Sequence, residues 1–179
     1  ASCFQIHENK RLGGTVTGDR GTETMDKVLL VIPAYNEGKN IERVVDHIKN
    51  DFPELDYVVV NDGSKDDTAD ICRRRGYNFI DLPVNLGLAG CFQTGMKYAW
   101  QKGYNYAVQF DGDGQHRPEY IQAMKEKMDE GYDIVIGSRF VTEKKSWSMR
   151  MFGSRLIGTA IWLTTGAKIK DPTSGMRLF

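Results

Sequence analysis

The chain lacks most of the features that mark out whole classes of protein. No stretch approaches the roughly 18 uncharged apolar residues that a membrane-spanning helix needs. Cysteine occurs three times, as Cys3, Cys72 and Cys91, too few and too scattered for a disulfide framework or a zinc site. The cysteines read as buried thiols in a reducing compartment. No sign of charge dominates, because 24 Lys and Arg balance 24 Asp and Glu. No net field therefore draws nucleic acid or anionic lipid, and a phosphate-bearing partner must be held by a local site. Residues 1–24 are polar and rich in Gly and Thr ("RLGGTVTGDRGTET") and hold no apolar signal segment. They read as a tag or loose extension outside the fold.

What is present is ordinary globular material. The 179 residues are 40% hydrophobic and 27% charged, enough for one domain with a real core. From Lys27 onward, short apolar runs alternate with helical patterns. "VLLVI" (28–32), "YVVV" (57–60), "NFIDL" (78–82), "YAVQF" (106–110) and "DIVIGS" (133–138) read as strands. Between them, Ile41, Val44, Val45 and Ile48 follow helical spacing, and a short helix around 65–75 closes at Gly76. A third stripe runs through Leu88, Cys91, Phe92, Met96, Ala99 and Trp100, with Met96 and Trp100 expected in the core. Pro118 suits the first turn of a helix whose apolar face is Tyr120, Ile121, Met124 and Met128. The alternation predicts an α/β fold, a mostly parallel sheet with helices on both faces. Residues 148–165 are a further apolar helix carrying Arg150 and Arg155. It reads either as a core-packing helix or as an amphipathic one beside a membrane or an anionic acceptor. The last residues, "DPTSGMRLF", give no finishing element, so residues 25–179 read as one catalytic domain truncated at its C-terminus.

In open α/β sheets, ligands bind beyond the carboxyl ends of the strands. Three predicted strands run into polar sequence at that edge: "PAYNEG" (33–38), "NDGSKDDT" (61–68) and "DGDGQH" (111–116). Each taken singly is a plausible turn; three at one edge make a shared site the better reading. Asp111 and Asp113 supply two carboxylates at a strand end, and Gln115 adds an amide oxygen. That is hard-cation chemistry, suited to Mg²⁺ or Mn²⁺ with waters and phosphates completing the shell. Asp62, at a neighbouring strand end, is placed to accept from a base N–H, and the Tyr35 ring to lie against a base or ribose. Competing motifs fail on spacing. No G-x-G-x-x-G follows the first strand, and no P-loop exists. An EF-hand loop from Asp111 would need Gly and Glu where His116 and Gln122 stand. A phosphatase with Asp111 as nucleophile and Asp113 as acid is the more serious rival. Its motif belongs on the first strand, however, with a small β-branched residue where Gln115 stands.

"VIPAYNE", "VVNDGSKDDT", "NLGLAG" and "QFDGDGQHRPE", in this order, closely resemble the family 2 glycosyltransferases, and within them the dolichyl- and polyprenyl-phosphate sugar synthases. The resemblance covers about residues 27–179. It implies a GT-A fold, a nucleotide-diphospho-sugar donor and a divalent metal. It implies further that Pro33, Tyr35 and Glu37 contact the nucleotide and that Asp62 reads the base. Asp111, Asp113 and Gln115 then correspond to the metal and diphosphate ligands. Arg139 resembles an arginine that neutralises phosphate near the acceptor, and Arg150 with Ser154 resembles an acceptor-phosphate pair.

Mechanism follows from the charges. A cation neutralises the leaving nucleoside diphosphate while an acceptor attacks the anomeric carbon from the opposite face, inverting it. A lipid phosphate is already an anion and needs only placing, by Arg139 and Arg150. A sugar hydroxyl needs a base, for which Asp171 is the candidate, with a turn role before Pro172 as its alternative. Three functions therefore stand: hexose transfer to a polyprenyl phosphate at the inner face of a membrane, transfer to a saccharide hydroxyl, and nucleotide-sugar binding without turnover. His116 reads either as a diphosphate contact or as a local structural residue just before a helix, while His47 and the run Arg73–Arg75 read as solvated.

Overall fold

The computed structural model describes residues 4–6, 27–111, 118–137, 163 and 176–179, with 4–6 described by backbone alone. The chain divides into two compact units, Thr22–Pro118 and Ala1–Gly21 with Glu119–Phe179.

In chain order the elements are β1 (Phe4–Ile6), β2 (Val28–Ala34), α1 (Ile41–Asp51), β3 (Asp56–Asn61), α2 (Thr68–Arg75), β4 (Phe79–Asp81), α3 (Gly87–Gln101) and β5 (Tyr106–Gln109). A single 3₁₀ turn, Pro118–Tyr120, leads into α4 (Ile121–Asp129), followed by β6 (Val135–Gly137) and β7 (Arg177–Leu178). Strands β2 to β5 lie in the order β5-β2-β3-β4 and all pair in parallel.

This order fixes where the helices go. The chain steps from β2 to β3 to β4 in one direction, then returns past β2 to reach β5. Right-handed crossovers therefore place α1 and α2 on one face and α3 on the other. Residues Leu29, Val31, Val58, Val60 and Ala107 cluster with Cys91 and Ala99 of α3. Their neighbours Leu30, Ile32, Val59 and Val108 point to the opposite face by the pleat and are fully buried too. Near-continuous apolar runs belong to strands covered on both sides. Helix α1 buries Ile41, Val44, Val45 and Ile48, the four positions its spacing predicts. Helix α2 stops at Gly76, whose φ of 62° is the left-handed conformation that glycine adopts without strain. The two described cysteines, Cys72 and Cys91, are free and buried. Burial foremost pushes their thiols up, to about 11 and about 12.

One expectation is corrected. Trp100 is 82% exposed, whereas Met96 packs partly buried against the core. Trp100 stands nine residues after Cys91, half a turn round the helix axis from it. The buried side of α3 is Cys91, Gly95 and Ala99. Gly95 matters because a Cβ there would overlap Val31 Cγ1, so its absence lets helix and strand close up.

The direction of β6, the fifth strand read from the sequence, is left open by the expectation of a mostly parallel sheet. In its unit the strand lies between β1 and β7 and pairs antiparallel with both. Phe4 sits opposite Gly137 and Val135 opposite Leu178. Both partners are three residues long or shorter, too short for any periodicity to announce them. In the same unit α4 buries Ile121 and Met124. Residues 148–165 lie outside the described residues, save Leu163, which is exposed.

The packing on α3 gives a paired prediction. Gly95→Ala gains helix propensity of about 1 kcal/mol but overpacks a closed contact, which costs about 1–3 kcal/mol. A net loss is expected in urea denaturation followed by circular dichroism, whereas Trp100→Ala should stay within about 0.5 kcal/mol of the parent.

Candidate functional site

The register of the parallel strands aligns their carboxyl ends. Pro33 pairs with Val60 and Ala34 with Asn61; Val31 pairs with Gln109. Carried on by two residues, the same register sets Asp111 level with Pro33; carried on by one, it sets Asp62 level with Tyr35. The crevice falls between β2 and β5, where the strand order reverses. That is the switch point at which open α/β sheets take their ligands.

Pro33 opens it. Val31 C=O accepts from Phe110 N–H at 2.9 Å, towards β5, and Ala34 C=O accepts from Asp62 N–H at 2.8 Å, towards β3. By alternation Pro33 faces β5, and without an N–H it cannot continue that ladder. The described register between the two strands ends at Val31 and Gln109, and Asp111 follows, half-buried.

The first two polar stretches are tied into one unit. Asn36 is the one described non-glycine residue with positive φ, 56°, a conformation asparagine tolerates better than most. Its N–H donates to Ser64 Oγ at 2.9 Å, and its Oδ1 accepts from Lys65 N–H at 2.8 Å. Ser64 Oγ in turn donates to Asn61 Oδ1, and Asn61 Nδ2 donates to Asp81 Oδ1 at 2.6 Å. Arg73 pairs with the other oxygen of Asp81. A polar chain thus runs from α2, through the buried Asn61, to the loop that carries Tyr35.

Below it, Asp66 holds the entry to α1. It accepts from Gly38 N–H at 3.0 Å and from Thr68 N–H at 3.1 Å, and Thr68 Oγ1 accepts from Glu37 N–H at 2.9 Å. Partial burial acts first to raise the Asp66 pKa, but the hydrogen bonds from Thr68 and Gly38 outweigh it and hold it below the usual carboxylate value. Glu37 is half-buried; its carboxylate accepts from Asn40 Nδ2 at 2.8 Å, and its carbonyl accepts the first N–H groups of α1. Tyr35 is exposed.

Asp62 is 4% exposed, and its Oδ1 accepts from Leu86 N–H at 2.7 Å. Loop 82–86 is pressed against it. Gly63 has a φ of 64°, and a Cβ there would lie 2.8 Å from the backbone of both Val84 and Asn85.

Of the residues singled out in the sequence, the structure thus brings Pro33, Tyr35, Glu37, Asp62 and Asp111 to one sheet edge. Asp113, Gln115, Arg139, Arg150, Ser154 and Asp171 lie outside the described residues. Among the described residues no cluster of three His, Cys, Asp or Glu forms a metal site, and no helix is long and apolar enough to cross a membrane. The donor set that fits a hard cation is Asp111 with the two sequence neighbours Asp113 and Gln115, all oxygen ligands. Sequence reasoning passed over Asn36, Asn61, Ser64, Asp66 and Thr68. Their signal was the repeated Asn, Ser, Thr and Asp at two strand ends, which generic turns share.

The family model for glycosyl transferase family 2 matches residues 29–179. The chain belongs to glycosyl transferase family 2. As a family 2 chain it is 32% identical over 176 residues to a UDP-N-acetylglucosamine–dolichyl-phosphate N-acetylglucosaminyltransferase of Methanococcus voltae, covering 86% of this chain and 70% of that protein. It is 28% identical over 162 residues to a polyprenol monophosphomannose synthase of Mycolicibacterium smegmatis, covering 86% and 61%. The chain thus spans roughly two thirds of the length of these relatives. Glucosyl-3-phosphoglycerate synthase of Mycobacterium tuberculosis, solved with Mn²⁺, UDP-glucose and phosphoglyceric acid, superposes with a TM-score of 0.65 at 19% identity, covering 86% of this chain and 56% of that one. The fold of this family 2 chain is the GT-A arrangement expected from the motifs.

Two stability predictions follow from the loop clamps. Asn36→Ala loses the side-chain bond accepted from Lys65 N–H and strains a left-handed residue, so a loss of about 1–2 kcal/mol is expected; Asn36→Gly, free of the strain, should lose less in the same thermal melts. A carboxylate whose folded pKa is depressed stabilises above its unfolded value, 3.8 for Asp66, and that stability is lost as pH falls through the lower folded value. Asp66→Asn should be less stable than the parent at neutral pH, with the difference closing in urea melts taken to acid pH.

Proposed function

We propose that this chain is the catalytic domain of an inverting glycosyltransferase that moves a hexose from a UDP- or GDP-sugar to a polyprenyl phosphate. The observation that carries the reading is the shared register of three strand ends. It sets two carboxylates, Asp62 and Asp111, on the two flanks of the Pro33–Tyr35 loop, which supports reading the first as the base-side group and the second as the diphosphate-side group. The names of the relatives, both polyprenyl-type lipid-phosphate sugar transferases, support the acceptor.

In this reading Tyr35 and Pro33 lie against the nucleoside, and the buried Asp62 accepts from the base. Asp111, Asp113 and Gln115 would hold Mg²⁺ or Mn²⁺. The cation's contribution is to neutralise the charge that grows on the departing nucleoside diphosphate. Arg139 and the pair Arg150 and Ser154 place the acceptor phosphate for attack on the anomeric carbon from the opposite face. A phosphate nucleophile needs no proton removed, so no base is called for. An acceptor hydroxyl would instead require Asp171 as base. The lipid substrate puts the domain at the cytoplasmic face of a membrane, bound peripherally.

A thermal-shift panel of UDP- and GDP-sugars with and without Mn²⁺ tests the donor half. Ligand at a hundredfold its dissociation constant adds about 2.7 kcal/mol of stability, so a metal-dependent rise in Tm is expected in the parent and its loss in Asp111→Ala. An unchanged metal-dependent shift in that variant would sink the reading. Incubation of donor and Mn²⁺ with polyprenyl phosphate or with an oligosaccharide separates the acceptors, since one alone should be consumed.

A further inference from the structure

Asp81 lies on β4, at the outer edge of the parallel strands and two strands away from β2, whose loop carries Tyr35. A single row crosses the sheet here: Ala34 pairs with Asn61, and Asn61 with Asp81. Two strand spacings put Asp81 about 10 Å from Ala34. Along this row the side chains form one hydrogen-bonded chain. Asp81 Oδ1 accepts from Asn61 Nδ2 at 2.6 Å, Asn61 Oδ1 accepts from Ser64 Oγ, and Ser64 Oγ accepts from Asn36 N–H at 2.9 Å. At the outer end Arg73 pairs with Asp81 Oδ2.

The carboxylate gives that chain its direction. An ionised carboxylate only accepts, so Asn61 must turn its NH₂ to Asp81 and its carbonyl oxygen to Ser64. Ser64 then spends its single hydrogen on Asn61 and meets Asn36 N–H as an acceptor. That N–H belongs to the planar peptide unit that begins at Tyr35, so the chain sets the plane of the Tyr35 carbonyl. Asn36 itself takes a φ of 56°, and its Oδ1 accepts from Lys65 N–H at 2.8 Å. Tyr35 and Asn36 are both exposed. Burial therefore does little to hold the turn, and its shape rests on these bonds.

Resting on the nucleotide-sugar reading above, we infer that Asp81 is a positioning residue for the donor: through Asn61 and Ser64 it holds the Tyr35 turn in the form that receives the nucleoside. It stands two strands from the crevice and acts only through that chain. Without it, the Asn61 amide is free to turn over, and Ser64 loses the partner that fixes its hydroxyl. The turn then samples other shapes, and the donor must select one of them at a cost in affinity.

Titration calorimetry of the full chain with UDP and GDP, in the presence of Mn²⁺, tests this in a double-mutant cycle with Tyr35. For the nucleotide that binds the parent more tightly, Asp81→Ala should raise Kd at least about fivefold, within the range such networks carry. In a Tyr35→Ala background the same substitution should change Kd by less than about twofold, because the ring being placed is gone. A merely structural role would lower Tm in both backgrounds and move Kd by the same factor in each. That additivity would overturn the inference, as would an unchanged Kd in Asp81→Ala, and either result leaves the nucleotide-sugar reading standing. Binding of neither nucleotide by the parent overturns that reading and the inference with it. Should Asp81→Ala fail to fold, Ser64→Ala breaks the same chain nearer the turn and goes through the same cycle, with the same results deciding.

Discussion

The crevice of this domain depends on one missing hydrogen bond. Strand β2 is central, paired on both sides in parallel, and a proline in such a strand ordinarily weakens the sheet. Here Pro33 stands at the last rung, facing β5, and removes the N–H that would hold the two strands together further. The ladder stops where the strand order reverses. The space beyond receives Asp111 from one side and the Tyr35 loop from the other.

Opening a gap would leave two loose loops unless something tied them down. The chain from Arg73 through Asp81, Asn61 and Ser64 to Asn36 does so with side chains. Asn61 is buried, so its amide would be costly unpaired, and the chain gives its nitrogen and its oxygen a partner each. Asp66, Thr68 and Gly38 perform the same service at the start of α1. A site whose loops are ordered before the ligand arrives loses less entropy on binding. The hydrogen bond from Leu86 to Asp62 belongs to this set, although it joins a third loop.

Several parts of this were legible in the residues alone. Four apolar runs of four or five residues, each followed by a helical stripe, leave little choice but a parallel sheet, since only crossovers connect such strands. Ile41, Val44, Val45 and Ile48 marked the buried side of α1 without error, because four consistent positions define a helical face. The face of α3 was misjudged at Trp100 because hydrophobicity outranked angle: a large apolar side chain was counted into the core from half a turn away. The short antiparallel partners of β6 escaped because two or three residues hold no period.

Local chemistry determined where a site had to lie and what it was made of: three polar stretches behind apolar strands, carboxylates for a cation, an aromatic for a base. Those features depend on residue type and order along the chain. Which oxygen of Asp62 is occupied, and that Asn36 bridges to Ser64 across 28 residues, was decided only when the strands fell into register. Such bonds join distant segments, and their geometry exists only once the sheet has set the loops side by side.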